Sequence, residues 1–150
     1  MRNTDKLKKV LTWCNEKKFN TIFLQETFVT SDIVKPFNKN VKEYGNVFHS
    51  TTYTSHGRGV AIILSNTFPD YKVLDVHTDS DGRRVLLNIE IISSKTVLTL
   101  ISIYAPNDVN HRINFFNELE TWIEKYSKAP NNIIIGGDFN CDVNQRQSKD

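Results

Sequence analysis

The sequence predicts an α/β (α+β) domain, in which strands with an antiparallel component are flanked by helices. Three observations carry that expectation. Two apolar runs, residues 21–27 and 132–140, each close on an acidic tip, Glu26 and Asp138. This is the pattern of a buried strand delivering a carboxylate to a sheet edge. Between them lie further β-forming runs separated by turn signals, the last two spaced as a hairpin. Apolar residues at helical spacing form one stripe before the first run and another before the last.

In chain order, Leu7, Val10, Leu11 and Cys14, with Trp13 beside them, make the first stripe, so a helix is expected over residues 4–18. A strand over 20–25 follows. Residues 28–45 are mixed and punctuated by Pro36 and Gly45, which suits a short helix inside a long connection. Strands are then expected at 46–50, 58–65, 71–77, 83–92 and 96–104, with turns at Asn66, Pro69, Asp81-Gly82 and Ser93-Ser94. Ala105-Pro106 breaks the last of these. Asn107 or Asp108 can cap the next helix by accepting a backbone N–H of its open first turn. That helix presents Ile113, Phe116, Leu119, Ile123 and Tyr126 on one face and ends at Ala129-Pro130-Asn131. The second acid-tipped strand comes next, and from Asp142 onward the sequence is wholly polar.

A chain of 150 residues suits one domain and can bury a sizeable core. It has no run of about 18 apolar residues, so neither a transmembrane helix nor a membrane partner is expected. The N-terminus is polar and basic without an apolar stretch, which argues against a secretory signal. The net charge of +2 gives no strong field for nucleic acid. Residues 1–18 carry a local charge of +4, which reads as the solvated face of an amphipathic helix before it reads as a phosphate contact. Cys14 and Cys141 are too few and too isolated for a disulfide framework or a thiolate metal site. They fit a reducing compartment, so a nuclear or cytoplasmic location is expected, not a secreted one.

Four positions can carry chemistry. Glu26 at the first tip is an oxygen ligand suited to a hard cation such as Mg²⁺, or else a surface carboxylate in a cap or salt bridge. Asp138 and Asn140 stand two residues apart in an extended segment, so carboxylate and amide can face one phosphate while Phe139 turns into the core. The alternative is a Gly-Asp turn followed by an Asx turn. Gly136-Gly137 permits a close backbone approach. Tyr104, at a strand tip, can donate to a phosphate oxygen or stand as a half-buried aromatic with a wet hydroxyl. Arg58, Arg83 and Arg84 open strands, where each reads as a salt-bridge or surface residue or as a DNA backbone contact; Arg58 is the substrate-binding candidate among them. The histidines at 49, 56, 77 and 111 show no metal-ligand spacing.

Leu24-Gln25-Glu26-Thr27, Arg58-Gly59-Val60-Ala61-Ile62, Ile103-Tyr104-Ala105-Pro106-Asn107 and Gly136-Gly137-Asp138-Phe139-Asn140 follow one another at telling separations. Together they resemble the endonuclease/exonuclease/phosphatase superfamily, which includes DNase I, exonuclease III and apurinic endonucleases. They most resemble the apurinic-type endonuclease domain of LINE-type (non-LTR) retrotransposons. The likeness runs through nearly the whole chain. It implies a DNase I-like four-layer sandwich, two mixed β-sheets packed face to face with helices outside. It also implies roles: Glu26 binds Mg²⁺ (Mn²⁺ is the other candidate), and Tyr104 contacts the scissile phosphate region. Asp138 positions or deprotonates the attacking water, and Asn140 binds phosphate and stabilises its developing charge. The implied reaction is phosphodiester hydrolysis in DNA by a monomer, the nick priming a reverse transcriptase carried elsewhere in the parent polypeptide.

Two pieces of the family pattern are missing. The family's first strand, with its metal-holding Asn, should precede the first helix, and Asn3 falls on the helix side of that motif. The family's later strands supply another catalytic Asp and a Ser-Asp-His ending, whereas this chain stops ten residues after Asn140, with Asp142 and Arg146 as candidate remnants. A domain incomplete at both ends is therefore expected, with catalysis lowered by orders of magnitude because such groups act as a unit. The alternatives are a noncatalytic nucleic-acid-binding remnant and a phosphatase of the same superfamily.

Overall fold

Period-two burial in the β-forming runs decides which face of each strand meets which layer. The computed structural model describes residues 4–31, 33–51 and 58–141, with Thr4 through its backbone alone. Asn3, His56, Asp142 and Arg146 lie outside the described residues. The elements run α1 (Thr4–Glu16), β1 (Thr21–Gln25), α2 (Val34–Val41), β2 (Gly45–Ser50), β3 (Val60–Ser65), β4 (Tyr71–Thr78), β5 (Arg84–Ile91), β6 (Thr96–Tyr104), α3 (Val109–Tyr126) and β7 (Ile133–Asp138).

The strands form two sheets, ordered β1-β3-β2 and β4-β5-β6-β7. The first is antiparallel throughout. The second is antiparallel from β4 to β6, with Arg84 opposite Ile103 in the expected hairpin, and parallel between β6 and β7. β3 is the central strand of its sheet and is buried from Val60 to Leu64. Its Val60, Ile62 and Leu64 pack against Val85, Leu87, Ile89 and Leu100 of the facing sheet. Its Ala61 and Ile63 turn the other way, onto Leu7 and Leu11 of α1 and Phe37 and Val41 of α2. On the far side, Leu86, Ile101 and Ile103 hold Phe115 and Leu119 of α3. The layers are thus helices, sheet, sheet, helix, the sandwich that the sequence resemblance implies. Each such aliphatic side chain contributes about 1.5–3 kcal/mol when fully buried.

Several expectations need correction. The two acid-tipped strands are not buried: β1 is half-buried throughout, and Ile134 and Ile135 of β7 are 50% and 38% exposed. Both are edge strands among the described residues, and a β-branched run does not reveal its place in a sheet. In α3, Ile113 is 55% exposed and Phe115 takes the core position, because the face that meets the sheet is rotated from the one assigned by spacing. Pro36 does not interrupt the connection but sits in the first turn of α2, where a missing N–H costs nothing. Asp108 is the residue that caps α3, its carboxylate accepting the His111 N–H at 2.9 Å. No helix of the described residues is long and apolar enough to cross a membrane.

Behind α3 a buried polar network replaces apolar packing. Asn88, fully buried, donates to Asp75 Oδ1 at 2.6 Å and to the Tyr126 carbonyl at 2.8 Å. Its own carbonyl accepts from Thr99 Oγ1 and from the Lys128 N–H. All four of its hydrogen-bonding positions are filled, which ties the end of α3 to β4, β5 and β6.

Candidate functional site at the strand ends

The carboxyl ends of β1, β6 and β7 lie together at one end of the sandwich. Gln25 closes β1 opposite Val60, and Tyr104 closes β6 beside Asp138 of β7. The Tyr104 hydroxyl donates to Glu26 Oε1 at 2.8 Å, joining the two sheets across 78 residues of sequence. Two backbone features allow this. Gly136 faces the Phe23 ring so closely that a Cβ there would lie 2.6 Å from it, the close approach expected of the glycine pair. Glu26 and Phe28 take left-handed backbone conformations, φ 51° and 54°, unusual for non-glycine residues. The segment is held there by Thr27 N–H to the Gly59 carbonyl and Phe28 N–H to the Arg58 carbonyl. Strain of this kind persists only where surrounding bonds impose it, and it gathers at working sites.

Asp138 and Asn140 reach the same end by a route that spacing did not foresee. Asn140 has φ 49°, so the segment is not extended and the two-residue alternation fails. Its backbone N–H donates to Asp138 Oδ1 at 2.9 Å, the Asx turn held as the alternative. Its side-chain amide donates to the Ala105 carbonyl at 2.7 Å, and the Ala105 N–H donates to the Asp138 carbonyl. Carboxylate and amide are therefore fixed against the Tyr104–Ala105 strand end. Phe139 does not enter the core: it is 40% exposed and stacks on Phe116 at 6.3 Å between ring centroids.

The electrostatics converge on Tyr104. Its bond to Glu26 pushes the phenol above its usual range, burial and the charges of Glu26 and Asp138 add to this, and Arg83 opposes it. Tyr104 is accordingly a donor at neutral pH. Arg83 Nη1 donates to the Tyr104 carbonyl at 2.9 Å, and its guanidinium lies 5.3 Å over the phenol ring. Arg58 pairs with exposed Asp81 at 3.6 Å, and both line, with Arg83, Arg84, Asp79 and Glu118, a concavity of about 350 Å³ in which the three guanidiniums face three carboxylates. Arg84 pairs there with Asp79 and Glu118. A larger groove of about 1100 Å³, lined by Lys39, Phe48, Phe68 and Tyr71, lies at the opposite end of both sheets and holds none of the candidate residues.

Among the described residues no three His, Cys, Asp or Glu converge on one point. A Mg²⁺ site does not require that, since the ion takes one or two carboxylates and retains several waters. Glu26 supplies such a carboxylate, with Asp138 close enough for both charges to act on Tyr104. Gln25 Nε2 and Ser102 Oγ are buried polar atoms without a protein partner. By strand alternation Gln25 shares the inter-sheet face of Phe23, and Ser102 shares that of Leu100 and Tyr104. Of the two, the Ser102 hydroxyl can accept from a cation-bound water, whereas the Gln25 amide nitrogen is a donor only. Sequence reading passed over Gln25 and Ser102. The motif around Gln25 was visible, but nothing in a sequence marks a polar side chain as unpartnered.

The family model for the Endonuclease/Exonuclease/phosphatase family matches residues 1–150. The chain is 32% identical over 146 residues to the Transposon TX1 uncharacterized 149 kDa protein of Xenopus laevis, covering 97% of this chain and 11% of that one. Among solved structures, an endonuclease/exonuclease/phosphatase family protein from Bacteroides thetaiotaomicron superposes with a TM-score of 0.71 at 11% identity, covering 93% of this chain and 56% of that one. D. rerio TDP2 complexed with single strand DNA product superposes at 0.64 and 18% identity, covering 95% of this chain and 56% of that one. At such identities these structures bear on the fold. The chain spans little more than half of each of these two solved structures and about a ninth of the transposon protein. With the family pattern matched along its whole length and the sandwich in place, the chain belongs to the Endonuclease/Exonuclease/phosphatase family.

Proposed function

We propose that this chain carries the Glu26, Tyr104, Asp138 and Asn140 portion of a metal-dependent DNA endonuclease site, as part of a larger domain in a retrotransposon-type polyprotein. The observation that carries the reading is the Tyr104–Glu26 bond, which brings two motifs from different sheets to one point. DNA as substrate is in keeping with a transposon relative and with a solved relative that holds a single-strand DNA product. Glu26 would hold Mg²⁺ or Mn²⁺, which would supply Lewis-acid stabilisation of the phosphate charge. Asp138 orients a water and takes its proton as the water oxygen bonds to phosphorus and the bond to the leaving oxygen breaks. Asn140 keeps one amide hydrogen on Ala105 and presents the other to a phosphate oxygen, while Tyr104 stays protonated as a donor. Arg58 contacts the strand backbone once Asp81, which is solvent-exposed, yields it.

A second reading, nucleic-acid binding without catalysis, is favoured by one detail: Asp138 Oδ1 is already occupied by its own Asx turn. Nicking of supercoiled plasmid separates the two. Mg²⁺-dependent nicking that EDTA, Glu26→Ala and Asp138→Ala each abolish supports the endonuclease. Salt-sensitive DNA binding by a folded chain that does not nick supports the second reading.

A further inference from the structure

Asp79, in the turn between β4 and β5, has a side chain only 9% exposed, and the proposed chemistry makes no use of it. Its Oδ1 accepts the backbone N–H groups of Arg83 and Arg84 at 2.9 and 3.1 Å. The same oxygen lies 3.2 Å from Ser50 Oγ, a hydroxyl that also reaches the Asp79 carbonyl at 3.0 Å. Its Oδ2 faces Arg84 Nε at 3.4 Å. Ser50 is fully buried at the end of β2, so this one carboxylate both shapes the turn and ties it to the other sheet. Two arms leave the turn. On one, the Gly82 carbonyl accepts the Gly59 N–H at 2.9 Å, and the Gly59 carbonyl accepts the Thr27 N–H beside the left-handed Glu26. Gly59 itself has φ 111°, and a Cβ there would lie 2.5 Å from Thr27 Oγ1. On the other, the Arg83 carbonyl accepts the Tyr104 N–H at 2.9 Å while Arg83 Nη1 donates to the Tyr104 carbonyl. The arms meet where the Tyr104 hydroxyl donates to Glu26.

We propose that Asp79 is a positioning residue for this site: its carboxylate folds the β4–β5 turn into a bracket that holds the Glu26 turn through Gly82 and Gly59 and the Tyr104 strand end through Arg83. Hydrogen bonds accepted by a carboxylate are about twice as strong as neutral ones, so Asp79 is the strongest anchor the turn has. A left-handed glutamate persists only where its surroundings over-determine it, and the chain of bonds from Asp79 to Thr27 does so. Arg84 has its place in this arrangement as the partner that neutralises the buried carboxylate. Asp79 is assigned this role on the reading of Glu26 and Tyr104 as the working pair, and on no particular reaction.

The test is residue-resolved amide hydrogen exchange of the folded chain, compared between wild type and Asp79→Asn. The substitution keeps the shape of the side chain, removes its charge and leaves one acceptor oxygen in place of two. The Thr27, Gly59 and Tyr104 amides, which lie on the two arms, are expected to exchange roughly ten- to a hundredfold faster. The Ser65 and Ile92 amides, bonded to the Asn20 and Asp70 carbonyls at the opposite end of the sheets, should keep their wild-type rates. Wild-type protection of Thr27, Gly59 and Tyr104 in the variant overturns the proposal. So does an equal acceleration of all five amides, which would make Asp79 a contributor to global stability alone. If Asp79→Asn does not fold, Ser50→Ala decides by the same criterion, since it removes the hydroxyl that ties the turn to β2 and should quicken the same three amides by a smaller factor. The exchange pattern does not depend on activity: a wild-type chain that fails to nick while the variant shows the local acceleration refutes the endonuclease reading and leaves the bracket standing.

Discussion

Replacing Gly136 by Ala tests whether the site depends on how closely the two sheets approach. The added methyl group would fall 2.6 Å from the Phe23 ring, where ordinary contact begins at 3.4 Å. The ring or β7 must therefore move by about 1 Å, since close-packed interiors do not absorb such overlap. Overpacking of this kind costs about 1–3 kcal/mol. For a domain of this size that corresponds to a melting temperature lower by roughly 3–10 °C. Because β7 carries Asp138 and β1 leads into Glu26, the same displacement spreads the site, and about 1 Å of misplacement costs roughly a hundredfold in rate. Thermal melting reads the first effect and single-turnover plasmid nicking the second. Phe23→Leu shrinks the ring that obstructs the methyl, so the double variant should recover stability relative to the sum of the singles, a coupling of about 0.5–3 kcal/mol. A Gly136→Ala chain that melts and nicks like the wild type would falsify the tight inter-sheet contact.

Tyr104→Phe removes the donor to Glu26 while keeping the ring under Arg83; stability should fall by no more than about 1.5 kcal/mol, and nicking by roughly ten- to a hundredfold. Equal nicking by the Phe variant would remove Tyr104 from the mechanism. Asn88→Ala strips the buried network of its centre and leaves the Lys128 N–H and the Tyr126 carbonyl without this partner, at a cost of about 2–4 kcal/mol in chemical denaturation. Asp75 sets an acid limit. Burial pushes its pKa up, but hydrogen bonds from Lys128 and Asn88 and the charges of Lys128 and His77 outweigh this and hold it below the usual carboxylate range. Its stabilisation is therefore complete above its unfolded pKa and is lost as pH falls through the lower folded value. Asp75→Asn should be less stable than the wild type at neutral pH, the gap closing in strong acid; a gap constant with pH would contradict the assignment.

Much of the architecture is legible in the sequence because burial is periodic. The alternation of Val60, Ile62 and Leu64 with Ala61 and Ile63 specifies a strand covered on both faces, and the apolar stripe of α1 specifies which side meets it. The turns at Asp81-Gly82 and Ser93-Ser94 fix consecutive antiparallel pairing, and the strand that follows α3 returns parallel, as a helical crossover allows. What periodicity cannot convey is rank within a sheet. The Ile133-Ile134-Ile135 run has the composition of a central strand yet lies at an edge among the described residues, because its position depends on which strands pair beside it.

The candidate site divides in the same way. Residue type and motif order sufficed to single out Glu26, Tyr104, Asp138 and Asn140, since a carboxylate or phenol at a strand end is visible in the sequence itself. Their meeting was decided by tertiary structure: by the left-handed turn at Glu26, which runs against the preference of its residue type, by the one at Asn140, which asparagine tolerates but does not require, and by Gly136 admitting the Phe23 ring. Arg83 and Arg84 are likewise told apart only in three dimensions. Nothing in Gly82-Arg83-Arg84 signals that the first guanidinium donates to the Tyr104 carbonyl while the second pairs with Asp79 and Glu118. Charge compensation is a property of distances between side chains, and here those distances are set by the β4–β5 turn, the end of β6 and the packing of α3 on their sheet.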